Sequence, residues 1–328
     1  MKILILNQAE IEKLLPMQNC IEVMADAFTA LQQGRVHLPL RMIVRPPDAK
    51  GLLGLMPAYQ SGNRSAFGIK IIGVFNGNPA IGKDSHQGAV VLLSGETGEP
   101  LAVMNASAIT AIRTAAASAV ATRLLARENA DDLAIIGSGI QAQTHLAAMA
   151  CVRKIKRVRV ASRSFEHAQR FAADRQALYP FPIEAVNSIE AAVAHANLIV
   201  TVTSSSEPVL QRNWIAPGTH INAVGSSMPQ AREVDTATLA ASSLFVDRRE
   251  STLNESGDYL FAMRDGAIGP DHIRAEIGEV LTGAKPGRTS PDEITLFKSL
   301  GLAIEDLAAA EYTYRQAQAS NSGTWVDF

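Results

Sequence analysis

Cysteine is nearly absent. The 328-residue chain has two, Cys20 and Cys151, far apart and without metal-ligand spacing. This excludes a disulfide framework and a cysteine-held metal centre, and free thiols in a reducing cytoplasm are the expectation. An excess of charge of one sign is also missing, because 30 Lys and Arg face 32 Asp and Glu, for a formal net charge of −2. Such a balance carries no electrostatic footprint for nucleic acid or an anionic membrane. No apolar stretch approaches the ~20 residues of a membrane span. The opening run Ile3–Leu6 is too short for a signal peptide, and no small-residue cleavage site follows it. There is no repeat, low-complexity linker or tail. The expectation is a cytoplasmic protein with no metal, nucleic-acid or membrane partner.

What is present is ordinary globular composition, 47% apolar and 19% charged, in a chain long enough for two domains. Residues 2–6 read as a strand. Met17, Ile21, Met24, Phe28 and Leu31 recur at three and four, which predicts a helix ended by Gly34. Short β-like runs follow at Leu38–Val44, Leu52–Met56, Phe67–Phe75 and Ala89–Leu93. The turn chemistry of Ser94–Pro100 predicts a hairpin whose returning arm is Leu101–Met104. A long Ala-rich helix, about 107–127, then leads into the wholly apolar strand 133–136. From there strands and helices alternate: Arg157–Val160, a helix near 165–177, Ile183–Val186, a helix near 188–195, Leu198–Val202, Ile221–Val224 and Leu244–Val246. Apolar strands interleaved with helices mean a parallel sheet covered on both faces. The last helix, about 301–319, is free to return to the first domain. The fold class is α/β, a doubly wound parallel sheet at 121–301 with a strand-rich α+β domain built from 1–120 and 302–328.

Gly137-Ser138-Gly139-Ile140-Gln141-Ala142 is a G-x-G-x-x-A loop directly after the strand 133–136 and opening a helix. Gly137 permits the tight turn, Gly139 the approach of a pyrophosphate, and Ala142 close packing of helix on sheet, while the helix N-terminus supplies amide donors. With a second strand ending about 20 residues on, the pattern is the Rossmann-type dinucleotide fingerprint. That second strand ends in Ser162-Arg163-Ser164. An NAD-preferring site places Asp or Glu there; an arginine between two hydroxyls favours the 2′-phosphate of NADP(H), with NAD(H) as the alternative.

Segments along essentially the whole chain together resemble the ornithine cyclodeaminase/mu-crystallin family. Among them are Gly54-Leu55-Met56-Pro57-Ala58-Tyr59, Ile69-Lys70, Ser85-His86-Gln87, Ala111-Ile112-Arg113-Thr114, Thr201-Val202-Thr203, His220 to Gly225, Ile277 to Val280 and Phe297 to Gly301. The resemblance implies a carboxylate-binding set of Arg41, Lys70 and Arg113, as a carboxylate shielded from water needs paired cations. It also implies cofactor contacts from Gln87 and Thr114, from Thr203 at a strand end, and from Ala223, Val224 and Gly225 under the ribose. Ser299 and Leu300 would close the nicotinamide end, and Leu300 would line the substrate. A lysine of the family pattern is replaced by Ala231. A homodimer through the strand-rich domain is implied as well.

Two departures direct the functional expectation. Deaminating members carry an acid, and alanine dehydrogenases an arginine, where this chain has Gly54. An aspartate of the deaminating pattern is replaced by Ser227, a poor base. The match to the mu-crystallin branch implies NAD(P)H-dependent reduction of a cyclic ketimine carboxylate, Δ1-pyrroline-2-carboxylate to L-proline first and Δ1-piperideine-2-carboxylate to L-pipecolate second. A protonated imine accepts hydride without a carboxylate base. His86, whose side-chain type titrates nearest neutrality, is the candidate proton donor and Ser227 a hydrogen-bonding group. Glu255 and Asp258 read rather as structural. Amino-acid cyclodeamination or oxidative deamination, a non-catalytic NADPH- or ligand-binding protein, and a 2,3-diaminopropionate-type synthase are the rivals.

Overall fold

The computed structural model describes residues 1–75 and 77–328. The chain divides into two compact units, Met1–Ala116 with Leu302–Phe328, and Ala117–Gly301.

The first unit holds β1 (Lys2–Leu6), α1 (Gln8–Leu14), α2 (Met17–Gln32), β2 (Val36–His37), β3 (Met42–Val44), β4 (Leu52–Gln60), β5 (Ala66–Val74), β6 (His86–Ser94) and β7 (Pro100–Asn105). Among the described residues it forms one eight-stranded sheet, ordered β16-β1-β7-β6-β5-β4-β2 with β3 also on β4, where β16 is Thr324–Asp327. The pairings are antiparallel except β1 with β7. Of the strand expected over Leu38–Val44 only β3, Met42–Val44, forms, with the two-residue β2 just before that range. Pro39 lies between them, and its missing N–H cannot join a ladder. On β5 the residues Ala66, Gly68, Lys70 and Ile72 face inward and are buried, while Phe67 and Ile71 alternate outward. The long helix α11 (Ala303–Ser320) covers the inner face of β4–β6 beside α2. Gly68 makes that approach possible: a Cβ there would lie 2.8 Å from the Leu307 side chain.

Helix α3 (Ala106–Leu125) runs across the division between the units at Ala116 and Ala117. Nearly all of it is buried, which its small side chains permit.

The second unit is the expected doubly wound sheet. Its strands are β8 (Asp132–Ile136), β9 (Arg157–Ala161), β10 (Ile183–Ala185), β11 (Leu198–Thr201), β12 (His220–Ala223), β13 (Ser243–Val246), β14 (Ile273–Glu276) and β15 (Thr295–Lys298). Every pairing is parallel, in the order β10-β9-β8-β11-β12-β15-β13-β14. The winding reverses between β8 and β11, the point beyond whose carboxyl ends such sheets bind ligands. Around the strands pack α4 (Ile140–Val152), α5 (Phe165–Gln176), α6 (Ile189–Val193), α7 (Thr236–Ala241), α8 (Arg249–Glu255), α9 (Gly257–Arg264) and α10 (Ile277–Leu281). A buried cluster from Ala134 and Ile136 through Ile199, Ile221, Leu244 and Leu296 forms the core. No helix among the described residues is long and apolar enough to cross a membrane.

Candidate functional site

In the second unit, the glycine loop sits at the carboxyl end of β8, beside the reversal. Gly137 has φ +119°, and a Cβ on it would lie 2.6 Å from the Val202 carbonyl oxygen, so only glycine closes this turn. Its N–H donates to the Ala161 carbonyl (2.8 Å), tying the loop to the end of β9. Gly139 is the N-cap of α4 and offers no side-chain acceptor to the first amides of the helix. Ala142 is fully buried against the sheet, and Ile140 stands exposed at the helix start. Two polar atoms here are orphaned: Gln141 Oε1 and Ser299 Oγ are buried without a hydrogen-bond partner among the described residues. An uncapped helix N-terminus, a glycine turn and buried polar atoms in want of a partner together suit a dinucleotide's phosphates and ribose.

At the end of β9, Ser162 accepts from Ser138 Oγ (2.9 Å), joining the strand end to the glycine loop. Ser164 is the N-cap of α5, accepts from His167 N (3.4 Å), and also bonds Glu166. Arg163 between them is exposed, and no carboxylate occupies the three positions after the strand.

A buried acid organises the ends of the next two strands. Glu233 accepts from Thr201 Oγ1 (2.7 Å), Thr203 N (2.6 Å) and Gly225 N (2.6 Å). Burial raises its pKa, while Lys298, Thr201 and Thr203 oppose the rise. Asp258 accepts from Glu233 N (2.8 Å) and Val234 N (3.0 Å), and lies 2.8 Å from Lys298 Nζ. Lys298 in turn donates to the Ser226 carbonyl (2.6 Å). The loop carrying Ala223, Val224, Gly225, Ser226 and the half-buried Ser227 is thereby held in place. Sequence reasoning read Asp258 as structural and passed over Glu233 and Lys298. Leu300 and Gly301 donate their N–H groups to Asp247 (2.6 and 2.8 Å), which fixes the turn after β15 next to Ser299.

In the first unit the cations assemble on the inner sheet face. Lys70 is on β5, and the antiparallel register sets Val90 and Met56 opposite it, Gly54 opposite Ile72, and His86 opposite Val74. Opposed residues share a face, so Lys70, Gly54 and His86 lie on the same side. From α3, Thr110, Arg113 and Thr114 share one helical face at i, i+3 and i+4. Lys70 Nζ is 3.4 Å from Thr110 Oγ1.

Lys70 and Arg113 are already engaged by two acids of α11. Lys70 Nζ lies 2.8 Å from Asp306 Oδ2. Arg113 Nε is 2.8 Å from Asp306 Oδ1, and Arg113 Nη1 is 2.7 Å from Glu305 Oε2. All four side chains are buried. Sequence reasoning missed both acids. Burial pushes the Lys70 pKa down to about 8, with Asp306 opposing and Arg113 and Arg41 adding to the fall. For Arg113 burial also favours the neutral form, but Asp306 and then Glu305 outweigh it and hold the guanidinium charged. Arg41, half-buried just before β3, is near enough to act on Lys70 electrostatically.

His86 opens β6. Its Nδ1 is 3.0 Å from Ser85 Oγ, and its carbonyl accepts from Ser107 Oγ. The ring, solvent-accessible at the strand end, has its pKa lowered first by the protein around it and then by the Lys70 ammonium, with Asp84 opposing. Gln87, exposed, donates to the Asp84 carbonyl (3.2 Å). The structure thus brings Lys70, Arg113, Thr114 and His86 into one unit, and the glycine loop, Ser162 to Ser164, Thr203, Ala223 to Gly225, Ser227, Ser299 and Leu300 into the other.

Three other proteins show what this chain is similar to. A ketimine reductase mu-crystallin from Mus musculus is 41% identical over 287 residues, 88% of this chain and 87% of that one. The structure of Thermococcus litoralis Delta(1)-pyrroline-2-carboxylate reductase in complex with NADH and L-proline matches with a TM-score of 0.95 at 39% identity, covering 98% of this chain and 99% of that one. An archaeal alanine dehydrogenase dimer with bound NAD matches with a TM-score of 0.93 at 34% identity, each chain wholly covered. With a family model matching residues 1–321, the chain belongs to the ornithine cyclodeaminase/mu-crystallin family.

Proposed function

We propose that the chain is an NAD(P)H-dependent oxidoreductase acting on C=N bonds, a reductase of cyclic ketimine carboxylates. Its first substrate is Δ1-pyrroline-2-carboxylate, reduced to L-proline, and its second is Δ1-piperideine-2-carboxylate, reduced to L-pipecolate. The observation that carries this reading is the buried Lys70–Arg113 pair on a face where Gly54 leaves no acid. Such a face receives a carboxylate. Because Asp306 and Glu305 already engage these two cations, it offers no further acid at Gly54 to a second, distal ammonium, which ornithine would bring. Support also comes from the names of the relatives, one a ketimine reductase and one a pyrroline-2-carboxylate reductase bound to NADH and L-proline.

Lys70, Arg113 and Arg41 hold the carboxylate and so fix the ring's orientation. Gly137, Gly139, Ile140, Gln141 and Ala142 hold the pyrophosphate at the start of α4, with Thr203, Ala223, Val224, Gly225, Ser299, Gln87 and Thr114 along the rest of the dinucleotide. A bound reduced nicotinamide supplies the hydride. As the imine carbon accepts it, the C=N π pair passes to nitrogen, and His86 donates or relays the proton found there. Ser227 hydrogen-bonds the substrate, and Leu300 lines it. No residue needs to activate water, consistent with serine at 227.

Arg163 between Ser162 and Ser164 supports a preference for NADP(H), although the two solved structures above hold NADH and NAD. A homodimer is supported by the outward face of the first sheet, where Leu53, Phe67 and Ile71 are exposed together, and by the dimeric alanine dehydrogenase. Phe67→Asp should then yield monomers on size exclusion; an unchanged elution volume would count against this face.

NADPH and NADH oxidation, followed with five- and six-membered cyclic imino acids while ammonia release from ornithine is measured alongside, tests the function. Ammonia release without imine-dependent oxidation would favour the cyclodeaminase alternative. Absence of both activities would favour a ligand-binding role.

A further inference from the structure

We propose that Asp306 is a positioning residue that keeps the Lys70 side chain an ammonium and fixes it against Arg113, so that the pair stands ready for a carboxylate. One carboxylate serves both cations. Its Oδ2 is 2.8 Å from Lys70 Nζ and its Oδ1 2.8 Å from Arg113 Nε, while Glu305 occupies the other side of Arg113 at 2.7 Å. Lys70 and Asp306 are 3% and 1% exposed, so water cannot stabilise either charge. Among the described residues, the ammonium's other close neighbour is the uncharged Thr110 hydroxyl at 3.4 Å.

The charged and titratable groups about Lys70 come from every element packed on it. They are Asp306 and Glu305 on α11, Arg113 on α3, Arg41 before β3, His86 on β6, and Cys20 on α2, which feels Arg113 and Glu305. Arg113 does not titrate below strongly alkaline pH. Burial pushes the Cys20 thiol up, and His86 is pulled down. Near pH 8, therefore, Lys70 is the member whose charge changes, and Asp306 sets where. Glu305 contacts Arg113, whereas Asp306 contacts both Arg113 and Lys70. The two acids, adjacent in sequence, have different tasks.

The kinetic consequence rests on the reductase proposed above; the titration of Lys70 does not. In protein labelled with 13C at lysine Cε, the Lys70 resonance, assigned with Lys70→Arg, should titrate near pH 8 in the unsubstituted enzyme. In Asp306→Asn its midpoint should fall by roughly one to three units. An unmoved midpoint in a variant with an intact thermal transition would overturn the proposal. If Asp306→Asn fails to fold, the unsubstituted enzyme still decides: Lys70 already neutral at pH 7 would overturn it. In the kinetic arm, KM for the cyclic imine at pH 7.5 should rise roughly tenfold in Asp306→Asn, with its alkaline limb moved to lower pH. Asp306→Glu should restore it, and the Kd for NADH should not move. In a Lys70→Arg background, Asp306→Asn should leave KM flat with pH, because arginine stays charged. Retention of the alkaline limb there would show that Lys70 is not the titrating group. Should the enzyme turn over no cyclic imine, the reductase reading falls and the Lys70 titration still judges Asp306.

Discussion

The Lys70 ammonium lies 2.8 Å from Asp306 in a fully buried contact, so the cation proposed to meet the substrate already has an anionic partner. Burial nevertheless leaves its pKa down at about 8. Because the folded value is lowered, the ammonium is present below that pH and lost above it. KM for a cyclic imino acid should therefore be flat from pH 6.5 to 7.5 and climb through pH 8 to 9, while the Kd for NADH stays level. A pH-independent KM in initial-rate measurements would contradict the role of Lys70.

Arg113 bridges Glu305 and Asp306, and its removal strands Glu305 in the interior and leaves Asp306 with Lys70 as its cation. Leaving a buried charge uncompensated costs about 3–5 kcal/mol. Arg113→Ala should lower kcat/KM by roughly two to three and a half orders of magnitude and lower the urea midpoint as well. Near-native efficiency would mean the carboxylate is held elsewhere.

The proposed preference for NADP(H) rests on one exposed side chain, Arg163. A guanidinium–phosphate bond contributes on the order of 1.5–3 kcal/mol. Arg163→Ala should thus reduce the ratio of NADPH to NADH efficiency by roughly ten- to a hundredfold, chiefly through KM for NADPH. An unchanged ratio would show that Arg163 does not read the 2′-phosphate.

The second unit should be sensitive to mild acid. His145 is buried between Ser118 Oγ (2.9 Å) and the Gln141 carbonyl (2.7 Å), and burial pushes its pKa from 6.5 to about 4. The folded state disfavours the imidazolium, so the stability His145 contributes is complete above pH 6.5 and drains away as pH falls toward 4. At pH 5 the linkage amounts to about 2 kcal/mol. His145→Gln, which does not titrate and places its amide near the Nε2 position, should lose that much less unfolding free energy between pH 7 and pH 5 in urea titrations. An equal loss in both proteins would clear His145 of this role.

Local patterns were the legible ones. Gly137 to Ala142 announce their strand, turn and helix because every constraint on them lies within a few residues. The β6–β7 hairpin follows from Ser94 to Pro100 for the same reason, and β13 from an apolar run. The strands β14, β15 and β16 escaped notice because Ile273–Glu276 and Thr324–Asp327 mix charge with apolar residues, and Thr295–Lys298 ends in a lysine buried only by grace of Asp258. Glu305 and Asp306 were illegible as partners because the helix that bears them lies nearly two hundred residues from Arg113 in sequence, and register does not extend so far. One signal was available. Two adjacent acids opening an otherwise Ala-rich, buried helix (Ala303 to Ala310) require cations, and the sequence had already supplied Lys70 and Arg113.

Enzyme mixed with Δ1-pyrroline-2-carboxylate and either reduced nicotinamide dinucleotide, with loss of absorbance and proline formed both quantified, tests the central claim most directly. The account expects one proline per dinucleotide oxidised, faster with NADPH, and no ammonia released from ornithine. Intact, folded protein that binds the dinucleotide yet forms neither proline nor pipecolate from the two cyclic imines would contradict it.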